Sequence, residues 1–326
     1  MSALPSFCEE SGVNSENPWL GLASFTEEQS GYFYGRDDEI AELFRLLKRE
    51  TLTVLFGQSG LGKTSLLQAG LFPQMRQADF LPVYIRLLYG EDAPPLAAQV
   101  KTALLQKIET REVDAPKPEV GETLWEYFHR KDVDFWNAKQ RLTTPVLVFD
   151  QFEEIFTLGR TEAVRRGQSR AFLTQLADLI ENRPPAVVKD KMDCGDGEAE
   201  RFFFDQESCK VILSLREDYL ADLEGLRPLI RSVTQNRMRI ARMNGTQAHQ
   251  AVIKPGASLL EEGIAERIVQ FVSGAKGNRE LDASPSDESL ATGAGTLKCS
   301  LPGTEQQTAR AWTAEDHTRP SGGQSK

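Results

Sequence analysis

The stretch LTVLFGQSGLGKTSLLQAG, residues 52–70, constrains this chain more than any other. A largely apolar run, Leu52–Phe56, stops at Gly57. Two more glycines and a lysine follow, and then a leucine-rich segment of helical character. Gly57, Gly60, Gly62, Lys63 and Thr64 match G-x-x-x-x-G-K-[ST], the pattern of a phosphate-binding loop. Glycines let the backbone take positive φ and bring its N–H groups close to an anion. A helix beginning near Lys63 adds its unpaired N–H groups and partial positive charge. The spacing predicts a buried strand over Leu52–Phe56, a helix over Ser65–Leu71, and between them a loop whose Gln58, Ser59, Leu61 and Ser65 join the motif residues as candidate nucleotide contacts. Lys63 is placed to reach the β- and γ-phosphates, and the Thr64 hydroxyl to ligate magnesium.

Further strand cores are expected at Pro82–Leu87, Val146–Phe149, Val211–Leu215 and Met238–Met243. The first four cores of the chain are short continuous apolar runs, as parallel strands covered on both faces should be. Helical patterns fall between them at Asp37–Lys48, Ala97–Glu109, Gly121–His129 and Ser169–Glu181. Strands alternating with helices predict an α/β domain over residues 17–273. Residues 183–201 read as a loop insertion. Residues 1–16 are polar and expected to be loose. The segment 274–326 has only five large apolar side chains, too few for a core, and is expected to be disordered.

A second informative stretch is TPVLVFDQFEEIF, Thr144–Phe156. Ligands of open α/β sheets sit at the carboxyl ends of strands, and Asp150 ends this one. A carboxylate there can hold the magnesium that bridges nucleotide phosphates. A glutamate a few residues later can orient or deprotonate the attacking water. Glu153 and Glu154 are both candidates for that role. Ser214 and Arg216 end the strand in CKVILSLREDY, on the same edge. Arg216 either senses the γ-phosphate or pairs at the surface with Glu217 or Asp218.

These motifs together resemble the STAND class of signalling NTPases, and most closely its bacterial "novel STAND" group. NPWLGLASFTEEQSGYFYGRDDEI (Asn17–Ile40) resembles the family's opening segment, VLVFDQFEE its magnesium-binding strand, ILSLREDYL its sensor strand, and AHQAVIKPG a helix ending in proline. The likeness covers about residues 17–272. It implies a three-layer P-loop NTPase sandwich with a parallel sheet ordered 5-1-4-3-2. It also implies ATP or ADP with Mg2+ as ligand, Tyr34, Gly35 and Arg36 packed by the adenine, and Pro255 near the base. Such proteins usually continue into helical and winged-helix modules that carry the switch. Here the family-like sequence fades at IAERIVQFVSG, so the chain reads as an ATPase core truncated ahead of its lid, with self-association belonging to a longer form.

Composition narrows the partners. With 38 Lys and Arg against 48 Asp and Glu, the net charge of −10 argues against broad nucleic-acid or anionic-membrane binding. No positive, apolar-cored leader and no apolar run of membrane-spanning length is present, so a cytoplasmic location is expected. Cys8, Cys194, Cys209 and Cys299 are scattered without metal or disulfide spacing, and His129, His249 and His317 are isolated. The leading expectation is an ATP-binding, slowly hydrolysing signal-transduction module. The alternative is an interaction protein that holds nucleotide without turnover. A GTPase lacks support because no N-K-x-D occurs.

Overall fold

The computed structural model describes residues 13–90, 92–158, 163–194, 198–261 and 263–272. The expectations for residues 274–326, and for most of 1–16, lie outside them. Five parallel strands form one sheet: β1 (Leu52–Gly57), β2 (Phe80–Ile85), β3 (Thr144–Phe149), β4 (Lys210–Arg216) and β5 (Arg237–Arg239). Their order is β2-β3-β4-β1-β5, the expected 5-1-4-3-2 read from the other edge. The helices are α1 (Asp37–Arg49), α2 (Lys63–Ser65), α3 (Phe72–Gln77), α4 (Leu96–Thr110), α5 (Leu124–His129), α6 (Glu154–Thr157), α7 (Ala163–Ile180), α8 (Ala186–Cys194), α9 (Leu220–Glu224), α10 (Gly245–Gly256) and α11 (Ile264–Val272).

The sandwich follows from period-two alternation inside strands that are apolar on both faces. Leu52, Val54, Leu147, Phe149, Val211, Leu213 and Leu215 pack toward α4, α5 and α7. Their neighbours Leu55, Val146, Val148 and Ile212 face the other way, onto α1 and the helix that leaves the phosphate loop. On α1, Ile40, Leu43, Leu46 and Leu47 recur at helical spacing and are buried, with Asp37–Glu39 in the first turn and Lys48 and Arg49 in the last. Side chains of this size each stabilise the fold by about 1.5–3 kcal/mol when fully buried.

Several boundaries differ from the sequence reading. β2 begins at Phe80 and ends at Ile85, two residues earlier at each end; it is an edge strand, where the internal Pro82 is tolerated. β5 is only Arg237–Arg239, because the chain diverges after Ile240 donates its N–H to Phe56 O (2.8 Å). The helix expected from Gly121 starts at Leu124, after a capping box formed by Thr123 and Glu126. The helix expected from Ser169 begins at Ala163. Segment 183–201 is not simply a loop: it contains α8, started at Pro185, whose carbonyl accepts from the N–H groups of Val188 and Lys189. Val188 is buried there with Trp125 and Phe202. The helix after the phosphate loop does not stop at Leu71: it widens into a π segment over Leu66–Leu71 and runs on as α3. Cys209 is a buried free thiol, and His129 is a core residue stacked on Trp125 at 4.2 Å. Among the described residues no helix is long and apolar enough to cross a membrane.

Candidate functional site

The carboxyl ends of β1, β3 and β4 converge because register sets them side by side: Gly57 is level with Arg216, and Phe149 with Leu213. Above them lies a cavity of about 540 Å3, within the range of small-ligand sites. Its floor is the loop Ser59–Ser65. Gly60 and Gly62 take φ of 79° and 83°, the left-handed region that side chains rarely adopt. The Lys63 ammonium folds back onto the loop, donating to the carbonyls of Gly57 and Gln58, each at 2.9 Å. Burial pushes its pKa down, while the carboxylates of Glu153 and Asp150 push it back up.

Asp150 is 3% exposed and takes three hydroxyl donors. Thr64 Oγ1 donates to Oδ2 at 2.6 Å, Tyr84 Oη to the same oxygen at 3.0 Å, and Ser214 Oγ to Oδ1 at 2.8 Å. Burial, with Asp150 beside it, drives the Tyr84 phenol above its ordinary pKa, so it remains a donor. Thr64 and Asp150 thus bring two hard oxygen donors together at the mouth of the loop. No group of three or more His, Cys, Asp or Glu suited to a metal occurs among the described residues. That donor set suits Mg2+, which binds through few protein oxygens and retains water and phosphate ligands.

The two glutamates separate. Glu153 lies on the cavity wall, and its Oε2 accepts the Arg216 backbone N–H at 3.3 Å. Glu154 is turned away and paired with Arg86 at 3.0 Å. Arg216 also reaches the wall, but its guanidinium is paired with Asp218, which raises its pKa. Both readings of Arg216 are therefore represented in the geometry.

The remaining wall is largely apolar, formed by Trp19, Tyr32, Phe33 and Tyr34, by Met243, by Ala248, Ala251 and Val252 of α10, and by Ile268 and Val269 of α11. Lys254 Nζ stands 5.4 Å from the centre of the Tyr34 ring. Arg36 reaches the wall but is 1% exposed and internally bonded. Gly35, Gly57, Gln58, Glu154 and Pro255 are not among the described wall residues; from α10 the wall is supplied one turn before Pro255. Sequence reasoning missed Tyr84, Gln151, Trp19 and the α11 pair. For α11 a signal existed: IAERIVQFV carries apolar residues at helical spacing. Gln151 has φ of 53°, unusual for a non-glycine and typical of functional turns, but this is invisible in sequence.

The family model for Novel STAND NTPase 1 matches residues 18–281. Similar solved structures include the Walker-type ATPase of Pyrococcus abyssi, at 13% identity and a TM-score of 0.49 over 79% of this chain and 67% of that one. The Aeropyrum pernix ORC2 protein, in ADPNP and ADP complexes, is similar at 13% identity and a TM-score of 0.45 over 69% of this chain. The chain spans about half of that ORC2 protein, 52% of its length. Comparison with curated protein sequences gives no match.

Proposed function

The chain belongs to the novel STAND NTPase family, and from that premise we propose that its cavity binds ATP or ADP with Mg2+ and turns ATP over slowly as part of a signalling switch. One observation carries the reading: the Thr64 hydroxyl and the buried Asp150 carboxylate meet at 2.6 Å beside a loop of left-handed glycines and a lysine. The cavity combines the phosphate loop and Lys63 with aromatic and aliphatic walls, a combination suited to a triphosphate joined to a base. Lys63 would neutralise phosphate oxygens, and the loop N–H groups would hold them. Thr64 and Asp150 would hold Mg2+, which would supply Lewis-acid charge at the phosphates. Glu153, which lies on the cavity wall, would orient the attacking water, and the pairing of Glu154 with Arg86 favours Glu153 for that role. Arg216 would reach the γ-phosphate once released from Asp218. Self-association would belong to a longer form of the protein.

Equilibrium titration with ATP, with and without Mg2+, tests this reading. Wild type should bind ATP more tightly with Mg2+. Asp150→Asn should lose most of that gain, on the order of a hundredfold in affinity if the bound metal contributes about 2.7 kcal/mol. Equal Mg2+ dependence in both proteins would remove Asp150 from the metal site.

A further inference from the structure

A polar chain runs from the apolar wall of the cavity to the phosphate loop. It begins at Gln247, in the first turn of α10. Gln247 closes a capping box with Asn244: its backbone N–H donates to Asn244 Oδ1 at 2.9 Å, and its Oε1 accepts the Asn244 N–H at 3.0 Å. With Oε1 committed, the amide nitrogen must point the other way. There it meets Glu39 of α1, 3.0 Å from each carboxylate oxygen. Glu39 Oε1 also accepts from Arg36 Nη1 at 2.6 Å. Arg36 is 1% exposed, and its Nη2 donates to the carbonyl of Leu61, inside the phosphate loop, at 3.4 Å.

The last contact has a geometric consequence. In a trans peptide the C=O of Leu61 and the N–H of Gly62 point in opposite directions. A guanidinium that holds the carbonyl on one side therefore aims the Gly62 N–H at the other, where an anion would sit. Gly35, next to Arg36, shows how closely α10 is seated. It has φ of 83°, and a Cβ there would lie 2.3 Å from the carbonyl oxygen of Gln247.

We propose that Gln247 is a positioning residue: through Glu39 and Arg36 it orients the Leu61–Gly62 peptide, so that the seating of α10 and the anion-binding state of the phosphate loop are coupled. The inference rests on the nucleotide-binding reading above. It assigns α10 a part in nucleotide retention beyond its apolar contacts, and gives Arg36 a role other than touching the base.

Gln247→Glu places two carboxylates together at the centre of the chain. Glu39→Gln combined with Gln247→Glu restores one carboxylate and one amide with their order reversed, while a glutamate at position 247 can still close the capping box. Three readouts are needed: release of fluorescent ADP, hydrogen exchange of the phosphate-loop peptide without nucleotide, and melting temperature. Gln247→Glu should release ADP about five- to tenfold faster and exchange faster in the loop, and the double swap should return both to within about twofold of wild type. Gln247→Ala, which adds no charge, should shift release and exchange in the same direction and guards against a misfolded glutamate variant. The proposal is overturned if Gln247→Ala leaves release and loop exchange unchanged, or if the swap restores melting temperature alone. Should wild type bind no ADP, the nucleotide reading fails, and loop exchange still decides whether the chain of contacts acts.

Discussion

The two ends of the cavity are built differently. The phosphate end rises from the centre of the sheet. Its residues sit at the carboxyl ends of β1, β3 and β4, and Asp150 is held by three hydroxyl groups from three different strands or helices. The apolar end is assembled from the chain's outer parts: the segment around Trp19 to Tyr34 before the sheet, and α10 and α11 after it. One end is fixed by the same burial that fixes the fold. The other depends on peripheral elements packing against one another, as in the His249–Glu266 pair (2.8 Å) that ties α10 to α11. On the proposed reading, charge recognition and chemistry would belong to the first end and base contact to the second, whose peripheral elements should open at lower free energy than core strands.

The largest test of this contrast lies at the chemical end. Glu153→Gln should lower ATP turnover by about a hundredfold or more while binding persists, since general-base contributions are of that size. Glu154→Gln should stay near wild type, because its partner is Arg86. A steady-state phosphate-release assay separates the two; the reverse pattern would exchange their roles. A smaller effect is expected at the apolar end. Ile268→Asp puts a charge against the base and should weaken ATP by about tenfold, leaving inorganic tripolyphosphate unaffected, as loss of one buried aliphatic contact predicts. Equal losses for both ligands would mean that α11 supports the whole cavity rather than one end of it.

The smallest effect is in pH. Burial lowers the Lys63 pKa in the free protein. Phosphates bind the protonated amine, so affinity should hold steady at neutral pH and decline as pH rises through that lowered value. The decline should begin below the ordinary lysine pKa of about 10.4. Calorimetry in buffers of different ionisation heat should show proton uptake on binding at alkaline pH and none near neutrality.

The same division explains what could be read from the sequence. The phosphate loop and Asp150 were legible because contiguous residues make each of them, whereas the sheet order came from the family resemblance. A strand, its terminal residue and the following turn lie within about ten positions, and a run such as VLVF admits few environments. The apolar wall was not legible in the same way. Trp19 and Val269 are 250 positions apart in the numbering and meet only in the folded chain. Family resemblance brought Tyr34 and the α10 region to the site, but Pro255 is off the described wall and Ala248, Ala251 and Val252 stand there instead. The sequence reads IAERIVQFVSG as the point where family-like sequence fades, yet it forms α11, contributes Ile268 and Val269 to the wall, and lies within the matched residues 18–281. The choice between Glu153 and Glu154 could not be made from spacing, because only the folded chain shows Glu153 on the cavity wall and Glu154 paired with Arg86.

The central question is whether the phosphate loop holds the nucleotide. Thermal or denaturant unfolding of wild type and Lys63→Ala, each with Mg2+ and ATP at a hundred times the wild-type dissociation constant, measures this directly. Wild type should gain about 2.7 kcal/mol of stability from the ligand, and Lys63→Ala should gain almost none while unfolding normally without it. An equal ligand-induced gain in both proteins would show that ATP is not held by this loop, and would contradict the assignment of the site.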